Sequence, residues 1–448
     1  MTDLNKQQYA ASMAEGGVSL VIAGAGTGKT KTLVEKVKNI IASGSVQPEN
    51  MLILTFSRKA AEEIKERVKS QVGATADSIT SGTFHSLCLR LLRENGGAFI
   101  ESSGFNKFPE ILDEQESKRL KLDIIKDSLD KFLGLPLNVV CGLSENIEKH
   151  EKPVIKKLKR LGIIAQLDDI NNKFMERKRA DCLIDYGDMM HYATALLESH
   201  KAVRGKIINR YRYIFVDEFQ DTSEDNFRLL KLLLPDKNQN LFLVGDDWQS
   251  IYGFRGSQTD YIIRARRFFP AVKIYKMGIN YRSKKELVNL SNKFIGNNRY
   301  KTRKKLKSQK GRGGVIRGYH VKDLNQEIKV IRDILTGGAA DSPDVAILYR
   351  NNWQGDLISK NLTDIIGIKN GGIKLMTMHS SKGLEFDTVV IAGVSDHIIP
   401  DQSNDIEEER RLLYVALTRA KEKLYVIHHE CGNDRLSIFA KELGFSAG

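Results

Sequence analysis

The sequence has few cysteines and no apolar run long enough to cross a bilayer. Among its 448 residues, no stretch reaches the roughly 18 apolar residues that a transmembrane helix needs. The opening residues, MTDLNKQQYA, lack the basic-then-apolar pattern of a signal peptide, so we expect a soluble, cytoplasmic protein. The cysteines include no C-x-x-C pair, which argues against a zinc site, an iron–sulfur cluster or a disulfide framework. We expect reduced core residues at Cys88, Cys141, Cys182 and Cys431.

The composition is that of a folded protein with an excess of positive charge. Hydrophobic residues make up 41% and charged residues 28%, which argues against disorder, collagen-like repeats and coiled coils. The length suggests about three domains. The net charge of +14 favours a polyanionic partner. Nucleic acid is the first candidate; a membrane surface is the second, but no basic amphipathic helix with an aromatic face supports it.

Short apolar runs alternate with helical patterns in the first part of the chain, which is typical of a parallel α/β sheet. Between about residues 91 and 204 the strand signal disappears, and Lys-rich helical sequence such as 152–160 replaces it. We therefore predict a first core at residues 1–90 and 205–275, with a helical subdomain inserted at 91–204. The strands predicted for this core are residues 19–22, 52–54, 213–216 and 241–244.

A second α/β core of similar size is predicted at residues 276–448. A basic run, RYKTRKKLKSQKGR at 299–312, lies near its start. A solvated loop is the simpler interpretation of this run, and direct contact with nucleic acid is the alternative. The strands predicted for the second core are residues 345–349, 373–377, 388–392 and 424–428.

A glycine-rich loop, AGAGTGKT at 23–30, follows the first predicted strand and opens a helix, as a phosphate-binding P-loop requires. Small residues let backbone N–H groups close around the β-phosphate at the positive end of the helix. Lys29 adds a charge for the β- and γ-phosphates, and the Thr30 hydroxyl can bind Mg²⁺. An ordinary glycine-rich turn is the alternative, which the flanking strand and helix oppose.

Two acidic residues, Asp217 and Glu218, end another predicted strand. An aspartate there can hold Mg²⁺ through water, and the adjacent glutamate can polarise the attacking water. A lone Asp-Glu pair at a strand end is usually a solvated turn, but the P-loop makes that alternative weak. Together the two elements predict a hydrolase.

The run DEFQDT at 217–222 resembles motif II of the UvrD/Rep-like branch of superfamily 1 DNA helicases. Other segments resemble the remaining motifs of that family, in order, from residue 4 to residue 420. They are the Q motif at 4–8, motif I (the P-loop) at 23–30, motif Ia at 54–61, motif Ib at 82–85, motif III at 245–252, motif IV at 280–283, motif V at 377–386 and motif VI at 408–420.

The resemblance implies two tandem RecA-like P-loop NTPase cores with ATP and Mg²⁺ between them. Arg282 and Arg419 of the second core would be arginine fingers that stabilise charge on the γ-phosphate. The two cores would close around ATP and open after hydrolysis, and this relative motion would move the protein along a nucleic-acid strand. The catalytic residues are then Lys29, Asp217, Glu218, Gln249 as γ-phosphate sensor, Arg282 and Arg419. The ATP-binding residues are Gln8 at the adenine edge, Ala25, Gly26, Thr27, Gly28, Lys29, Thr30, Lys31, Tyr281 stacked on the base and Glu385 at the ribose.

Aromatic residues in loops at strand ends could stack the bases of a single strand, which gives a track that tolerates any sequence. Phe56 and Phe84 could instead fill the core between sheet and helices, and Tyr252 could do so less readily. Arg255 resembles a contact to a phosphate or a base. The residues expected to bind DNA are Phe56, Thr83, Phe84, His85, Tyr252, Phe254, Arg255 and His379.

The sequence departs from the family pattern in three places. Larger relatives carry a mobile 2B subdomain between motifs IV and V, but here only residues 351–372 separate Arg350 from Ile373, so 2B is expected to be absent. This spacing and the GDDWQ form of motif III resemble the helicase IV subgroup most. Lys31 replaces an arginine and Phe254 a tryptophan common in relatives, so we expect weaker contacts there.

The leading hypothesis is an ATP-dependent helicase or translocase that moves 3′ to 5′ on single-stranded DNA and unwinds tailed duplex DNA. Without 2B, translocation is a safer inference than unwinding. The second hypothesis is a DNA-stimulated ATPase subunit that acts with a partner nuclease in DNA repair or anti-phage defence. RNA unwinding is a third and less favoured hypothesis, because the motif set matches DNA motors.

Overall fold

The computed structural model describes residues 4–127, 163–337, 344–366, 372–396, 398–431 and 435–446. Cys141 and the segment 152–160, which the sequence predicts to be helical, lie outside these ranges. Inside them, Cys88 and Cys182 are buried free thiols, as predicted. In the same ranges, no helix combines the length and the apolar character that crossing a membrane demands.

Strands and helices alternate along most of the described chain. In chain order the strands are β1 Gly17–Ala23, β2 Met51–Thr55, β3 Thr80–Thr83, β4 Glu110–Ile111, β5 Leu183–Ile184, β6 Tyr213–Val216, β7 Asn240–Gly245, β8 Lys273–Met277, β9 Ile279–Asn280, β10 Lys307–Ser308, β11 Val315–Val321, β12 Val345–Tyr349, β13 Ile373–Thr377, β14 Phe386–Val394, β15 Ala420–Cys431 and β16 Arg435–Leu436. The helices are α1 Lys6–Ser12, α2 Lys29–Ser43, α3 Arg58–Val72, α4 Phe84–Glu94, α5 Gly96–Ser103, α6 Glu114–Asp127, α7 Ile163–Ala180, α8 Tyr186–Ser199, α9 Lys201–Arg210, α10 Glu224–Leu233, α11 Asp260–Ile263, α12 Ala265–Phe268, α13 Lys285–Ile295, α14 Leu324–Thr336, α15 Asn352–Asn361, α16 Thr363–Ile366, α17 Ile406–Leu417 and α18 Ile438–Leu443.

The first sheet is parallel, with strand order β3-β2-β6-β7-β1-β8. Its four central strands coincide with the predicted apolar runs. Side chains of β1 alternate between its faces: Leu20 and Ile22 enter one apolar cluster, whereas Val21 and Ala23 enter another. The sheet is therefore covered on both faces. The carboxyl ends of its strands all lie at the same end of the sheet, and there β1 leads into the P-loop.

The helix α8 lies in the range predicted as an inserted helical subdomain, yet it packs on the first sheet. Asp185 and Asp188 form a capping box at its start. Met189 and Leu196 are buried in the same apolar cluster as Leu20. The strands β4 and β5 also lie in this range, and a two-residue strand is too short to leave an apolar pattern. The boundaries of the inserted subdomain stay a prediction.

The second sheet has strand order β11-β15-β14-β12-β13, all parallel, and β16 pairs antiparallel with β15. The strands β12 and β13 have the predicted bounds, whereas β14 and β15 are longer than predicted. The strand β11 was not predicted, because the exposed residues Arg317 and Gly318 interrupt its apolar pattern. A parallel sheet in each half of the chain confirms the predicted α/β class.

Candidate nucleotide and nucleic-acid site

The P-loop lies between β1 and α2, as predicted. Gly26 and Gly28 have φ angles of 67° and 83°, in the left-handed region that glycine tolerates. A Cβ on Gly28 would lie 2.6 Å from Nε2 of Gln8, and one on Gly26 would lie 2.7 Å from Cβ of Arg282. Both positions therefore require glycine, and the loop is held closely from two sides.

Lys29, the first residue of α2, contacts the carboxylate predicted to activate water. Its Nζ lies 3.1 Å from Oε2 of Glu218. Burial lowers the pKa of Lys29, but the charges of Glu218, Asp246 and Asp217 outweigh burial and raise it overall. Glu218 has a φ of 50°, a conformation that is uncommon outside glycine and often found at functional sites. The structure thus brings together predicted catalytic residues of motifs I and II.

Asp217 and Glu218 are neighbours whose pKa values shift in opposite directions. Burial, and then the charge of Glu218, raise the pKa of Asp217 to about 7. Burial also opposes the ionisation of Glu218, but Lys29 and Lys382 outweigh it and hold its pKa at about 2. Asp217 is therefore a buried carboxylate whose ionised form needs more positive charge. That need, and the hard oxygens of Asp217 and Thr30, fit Mg²⁺.

Gln220 joins motif II to motif III, a role that did not follow from the sequence. Its Nε2 donates to Oε2 of Glu218 at 2.5 Å, and its Oε1 accepts from the backbone N of Asp246 at 2.8 Å. The whole residue is buried. The available signal was its position two residues after Glu218 in the motif II run.

The predicted γ-phosphate sensor and one predicted arginine finger touch each other. Nη2 of Arg419 donates to Oε1 of Gln249 at 3.1 Å, and Nε2 of Gln249 donates to Oδ2 of Asp246 at 2.5 Å. Burial, and then the charge of Arg282, lower the pKa of Arg419 to about 9. Arg419 therefore reaches across from the second core to motif III of the first.

Arg282, the other predicted finger, is held by motifs V and VI. Its Nε donates to Oε2 of Glu385 at 2.7 Å, and its Nη1 donates to the backbone O of Thr418 at 3.2 Å. Burial opposes the ionisation of Glu385, but Arg282 outweighs it and lowers the pKa of that carboxyl. The carboxylate predicted to contact the ribose is thus paired with Arg282.

The two residues predicted to contact adenine differ in exposure. Tyr281 is 40% exposed, and its hydroxyl accepts a hydrogen bond from Nδ2 of Asn5 at 2.6 Å. Gln8 is buried: its Oε1 accepts from the backbone N of Asn5 at 3.0 Å, and its Nε2 donates to the backbone O of Thr27 at 3.0 Å. Gln8 therefore braces the P-loop from α1. Lys31 lies half-buried in the first turn of α2.

Three predicted DNA contacts form an aromatic cluster beside cations. The ring centroids of Tyr252 and Phe254 are 6.0 Å apart, and those of Phe254 and His379 are 5.8 Å apart. The guanidinium of Arg255 lies 5.5 Å from the rings of both Tyr252 and Phe254. Burial, and then the charge of Arg350, lower the pKa of His379 to about 4, so its ring is neutral at pH 7. The exposed ring of Phe254 and its two half-buried neighbours, next to cations, suit the bases and phosphates of a single strand.

The other predicted DNA contacts lie around the start of α4. Phe84 is 2% exposed and packs against Phe56, with ring centroids 5.4 Å apart. Thr83 caps the helix by accepting from the backbone N of Ser86 at 3.2 Å. Burial lowers the pKa of His85. The burial of Phe84 among the apolar residues of the first sheet supports the core alternative for that residue.

Lys382 of motif V links the two cores, although no role for it followed from the sequence. Its Nζ lies 2.6 Å and 2.7 Å from the two carboxylate oxygens of Asp221, and it donates to the backbone O of Gln249 at 3.1 Å. It also lies 4.7 Å from the centroid of the Tyr252 ring. One cation of the second core thus contacts motif II, motif III and the aromatic cluster.

Two family profiles match the chain. The profile described as the UvrD/REP helicase N-terminal domain matches residues 4–270. The profile described as the UvrD-like helicase C-terminal domain matches residues 275–368 and 363–431. Most of both α/β cores therefore lies in matched segments.

Curated bacterial proteins are similar to the chain over most of its length. It is 30% identical over 405 residues to the ATP-dependent DNA helicase PcrA of Staphylococcus aureus, which covers 89% of this chain and 55% of that protein. It is 31% identical over 376 residues to the ATP-dependent DNA helicase Rep of Buchnera aphidicola, which covers 80% and 54%. It is 31% identical over 368 residues to PcrA of Bacillus subtilis, which covers 81% and 49%. The chain spans about half the length of these relatives.

Proposed function

The chain belongs to the UvrD/Rep helicase family, and on this premise we propose that it is an ATP-dependent DNA helicase or translocase. It hydrolyses ATP to move 3′ to 5′ on single-stranded DNA and to unwind duplex DNA that carries a single-stranded tail. The relatives named as DNA helicases favour this function over the alternative of an ATPase subunit that acts with a partner nuclease.

A continuous chain of contacts between the two cores carries the proposal. Lys29 of the P-loop contacts Glu218, and Gln220 joins Glu218 to motif III. Gln249 of motif III contacts Arg419 of the second core. Nucleotide held by the P-loop therefore lies next to these contacts. A chemical change at its phosphates alters the contacts between the two cores, as a motor requires.

Each residue at the phosphates has a distinct part in hydrolysis. The P-loop amides and Lys29 bind the β- and γ-phosphates, which draws Lys29 away from Glu218. The ionised Glu218 then orients the attacking water and accepts its proton. Arg282 and Arg419 stabilise the charge that develops on the γ-phosphate, and Gln249 orients Arg419.

We assign Mg²⁺ to Asp217 and Thr30, and the nucleoside to Tyr281 and Glu385. Burial raises the pKa of Asp217 to about 7, so its carboxylate ionises fully only beside added positive charge. Mg²⁺, when bound, supplies such charge and neutralises phosphate oxygens. The exposed ring of Tyr281 can stack on adenine. Glu385 reaches the ribose by giving up its ion pair with Arg282.

Single-stranded DNA binds along the aromatic cluster. Bases stack on the exposed ring of Phe254 and on its neighbour Tyr252, and Arg255 neutralises phosphate. The neutral ring of His379 extends this surface onto the second core. The direction of movement rests on the resemblance to the family.

We propose the same domain division as the sequence predicts. In the structure β12 and β13 are adjacent parallel strands, and the described part of their connection consists of α15 and α16. This short connection supports the absence of a 2B subdomain between them. The domains are core 1A at 1–90 and 205–275, the helical insertion 1B at 91–204 and core 2A at 276–448.

The proposal is tested with matched fluorescent duplexes that carry a 3′ or a 5′ single-stranded tail, with hydrolysis followed in the same reactions. ATP-dependent opening of only the 3′-tailed duplex supports it, provided that Lys29→Ala abolishes both activities. If both tails stimulate hydrolysis but neither duplex opens, the protein is a translocase or a sensor, and strand separation is not part of its function. Equal stimulation by RNA and DNA would instead favour the RNA hypothesis.

A further inference from the structure

Lys304 belongs to the basic run 299–312, yet its ammonium group is buried against motif III. Its Nζ lies 2.5 Å from Oδ1 of Asp246 and 2.7 Å from Oδ1 of Asp247. The side chains of this lysine and these two aspartates are 2%, 0% and 1% exposed. The same Nζ lies 4.4 Å from the centroid of the Trp248 ring. Three consecutive residues of motif III therefore surround one lysine.

The segment around Lys304 is fixed to motif III by further hydrogen bonds. The backbone N of Thr302 donates to Oδ2 of Asp247 at 2.7 Å, and its hydroxyl donates to Oδ1 at 2.5 Å. Nε1 of Trp248 donates to the backbone O of Thr302 at 3.2 Å. Burial opposes the ionisation of Asp247, but Lys304 outweighs it and lowers the pKa of that carboxyl. The sequence suggested either a solvated loop or direct contact with nucleic acid for the basic run, and neither interpretation describes the buried Lys304.

Asp246 connects Lys304 to the predicted γ-phosphate sensor. One carboxylate oxygen of Asp246 contacts Lys304, and the other accepts from Nε2 of Gln249 at 2.5 Å. Because Nε2 of Gln249 donates to Asp246, its Oε1 is left to accept from Arg419 at 3.1 Å. The orientation of the Gln249 amide, and with it the contact between Gln249 and Arg419, thus depends on where Asp246 is held. Within the second core, Arg419 also donates from Nε to the backbone O of Val415 at 2.9 Å and from Nη1 to that of Leu384 at 3.0 Å.

We propose that Lys304 is a positioning residue for ATP hydrolysis, which holds Asp246 so that Gln249 and Arg419 meet at the γ-phosphate. The inference rests on the proposed function and adds to it a residue outside the helicase motifs. Lys304 touches neither nucleotide nor DNA in this assignment. It acts through two side chains, so its loss changes turnover and leaves the binding surface for ATP in place.

The test compares steady-state hydrolysis at saturating single-stranded DNA for Lys304→Met, Gln249→Ala and the double variant. Lys304→Met is expected to lower kcat roughly 10- to 100-fold, because small displacements of catalytic groups have effects of this size. The KM for ATP is expected to change less than about twofold, since the P-loop is intact. The double variant is expected to be no slower than the slower single variant, because both act on one pathway. A general weakening of the fold would instead multiply the two losses.

Lys305→Met is the matched control, because Lys305 is the exposed neighbour in the same run, and it is expected to keep the kcat of the unchanged protein. A folded Lys304→Met variant with unchanged kcat, or multiplicative losses in the double variant, would overturn the proposal. If Lys304→Met does not fold, Lys304→Met with Asp247→Asn keeps the net charge of the cluster and faces the same two criteria. Absence of hydrolysis in the unchanged protein would instead overturn the proposed function itself.

Discussion

Gln8 shows how a single side chain can serve two motifs. It closes the capping box of α1 with Asn5 and donates to the backbone O of Thr27 in the P-loop. The resemblance placed Gln8 at the adenine edge, whereas its amide is hydrogen-bonded on both sides within the protein. Oε1 keeps a second lone pair and Nε2 a second N–H, so Gln8 can contact adenine while it still braces the P-loop, a double role that only the packed structure reveals.

Replacing Glu218 with glutamine should separate ATP binding from hydrolysis. Glu218→Gln removes the base, so kcat should fall about 10²- to 10⁴-fold. The same change removes the carboxylate that pairs with Lys29 and competes with phosphate for it, so ATP should bind as tightly as before or more tightly. Steady-state hydrolysis and titration with a fluorescent ATP analogue measure the two effects. Glu62→Gln on the exposed face of α3 is the control. Weaker ATP binding by Glu218→Gln would show that Glu218 does not compete with phosphate for Lys29.

Two phenylalanines predicted to bind DNA should behave differently because the structure exposes one and buries the other. Phe254 is 57% exposed, so Phe254→Ala should weaken single-strand binding by roughly 1 to 3 kcal/mol with little change in melting temperature. Phe84 is 2% exposed, so Phe84→Ala should lower the free energy of unfolding by about 3 to 5 kcal/mol. Fluorescence anisotropy with a labelled oligonucleotide and denaturant unfolding measure these quantities. The assignment fails if Phe254→Ala destabilises the fold as much as Phe84→Ala.

At the scale of elements, strands with dense apolar sequence could be predicted and strands stabilised by their neighbours could not. The strand β1 is apolar almost throughout and was predicted. The strand β3, with the sequence TSGT, carries no apolar pattern and forms because its backbone pairs with β2. The strand β8, with the sequence KIYKM, carries two lysines and lies on an edge of the sheet, and its last residues lie beyond the predicted boundary at 275. Pairing at an edge is a tertiary effect, so local sequence does not show it.

The candidate site divides in the same way. Lys29, Asp217 and Glu218 follow strands of one parallel sheet. It could therefore be predicted that they meet at the end of the sheet where its strands have their carboxyl ends. The contacts of Lys304 and Lys382 could not, because each meets carboxylates far away in sequence. A lysine in a basic segment has the same local pattern whether it faces solvent or fills a buried site. Only the packing of the second core against motifs II and III decides between the two.

Paired strands β11 and β15 place a buried histidine where acid should destabilise the protein. His428 packs 5.2 Å from the ring centroid of His320 and 5.5 Å from that of Phe445. Burial, and then the charges of His320 and His429, lower the pKa of His428 to about 4. The unfolded chain takes up this proton near pH 6.5 and the folded chain does not, so stability falls as the pH drops from about 6.5 to about 4. Above that window the group contributes nothing to the pH dependence.

The measurement is the fall in melting temperature between about pH 8 and about pH 5. In His428→Gln this fall should be smaller than in the unchanged protein, because the variant has no proton to gain at this position. His191→Gln, a change on the exposed side of α8, should keep the full fall. An equal fall in all three proteins would show that other groups determine the acid sensitivity.

At the scale of the whole molecule, the two cores meet through an apolar contact of Trp248 and Ile251 and through polar contacts that can form and break. Nδ2 of Asn280 donates to the backbone O of Ala25 in the P-loop at 2.8 Å. The carboxylate of Glu408 accepts from the backbone N of Gly253, next to the aromatic cluster, at 2.8 Å. Polar contacts of this kind can be exchanged as the parts they join move relative to each other. The contacts lie beside both the proposed nucleotide site and the proposed DNA site, so we expect either ligand to shift the balance between open and closed arrangements of the cores.

Lys382 lies where these two sides converge, and its removal should uncouple them. It pairs with Asp221, donates to the backbone of Gln249 and lies over the Tyr252 ring. In Lys382→Met, DNA bound at Tyr252 loses its direct connection to motif II, so the ratio of DNA-stimulated to basal hydrolysis should fall about tenfold, a loss in the lower part of the usual range for coupling between sites. Binding of ATP should change much less, because the P-loop is untouched.

The matched control for Lys382→Met is Lys374→Met. Lys374 makes an exposed ion pair with Asp344, which contributes about 0 to 1 kcal/mol, so that variant should keep both stability and stimulation. Lys382 pairs with Asp221 out of solvent, and leaving that carboxylate unpaired can cost about 3 to 5 kcal/mol. Asp221→Asn combined with Lys382→Met removes the unpaired charge and should recover stability without recovering stimulation. Recovery of both would show that Lys382 only stabilises the junction, whereas recovery of stability alone would identify it as the connection between DNA and ATP.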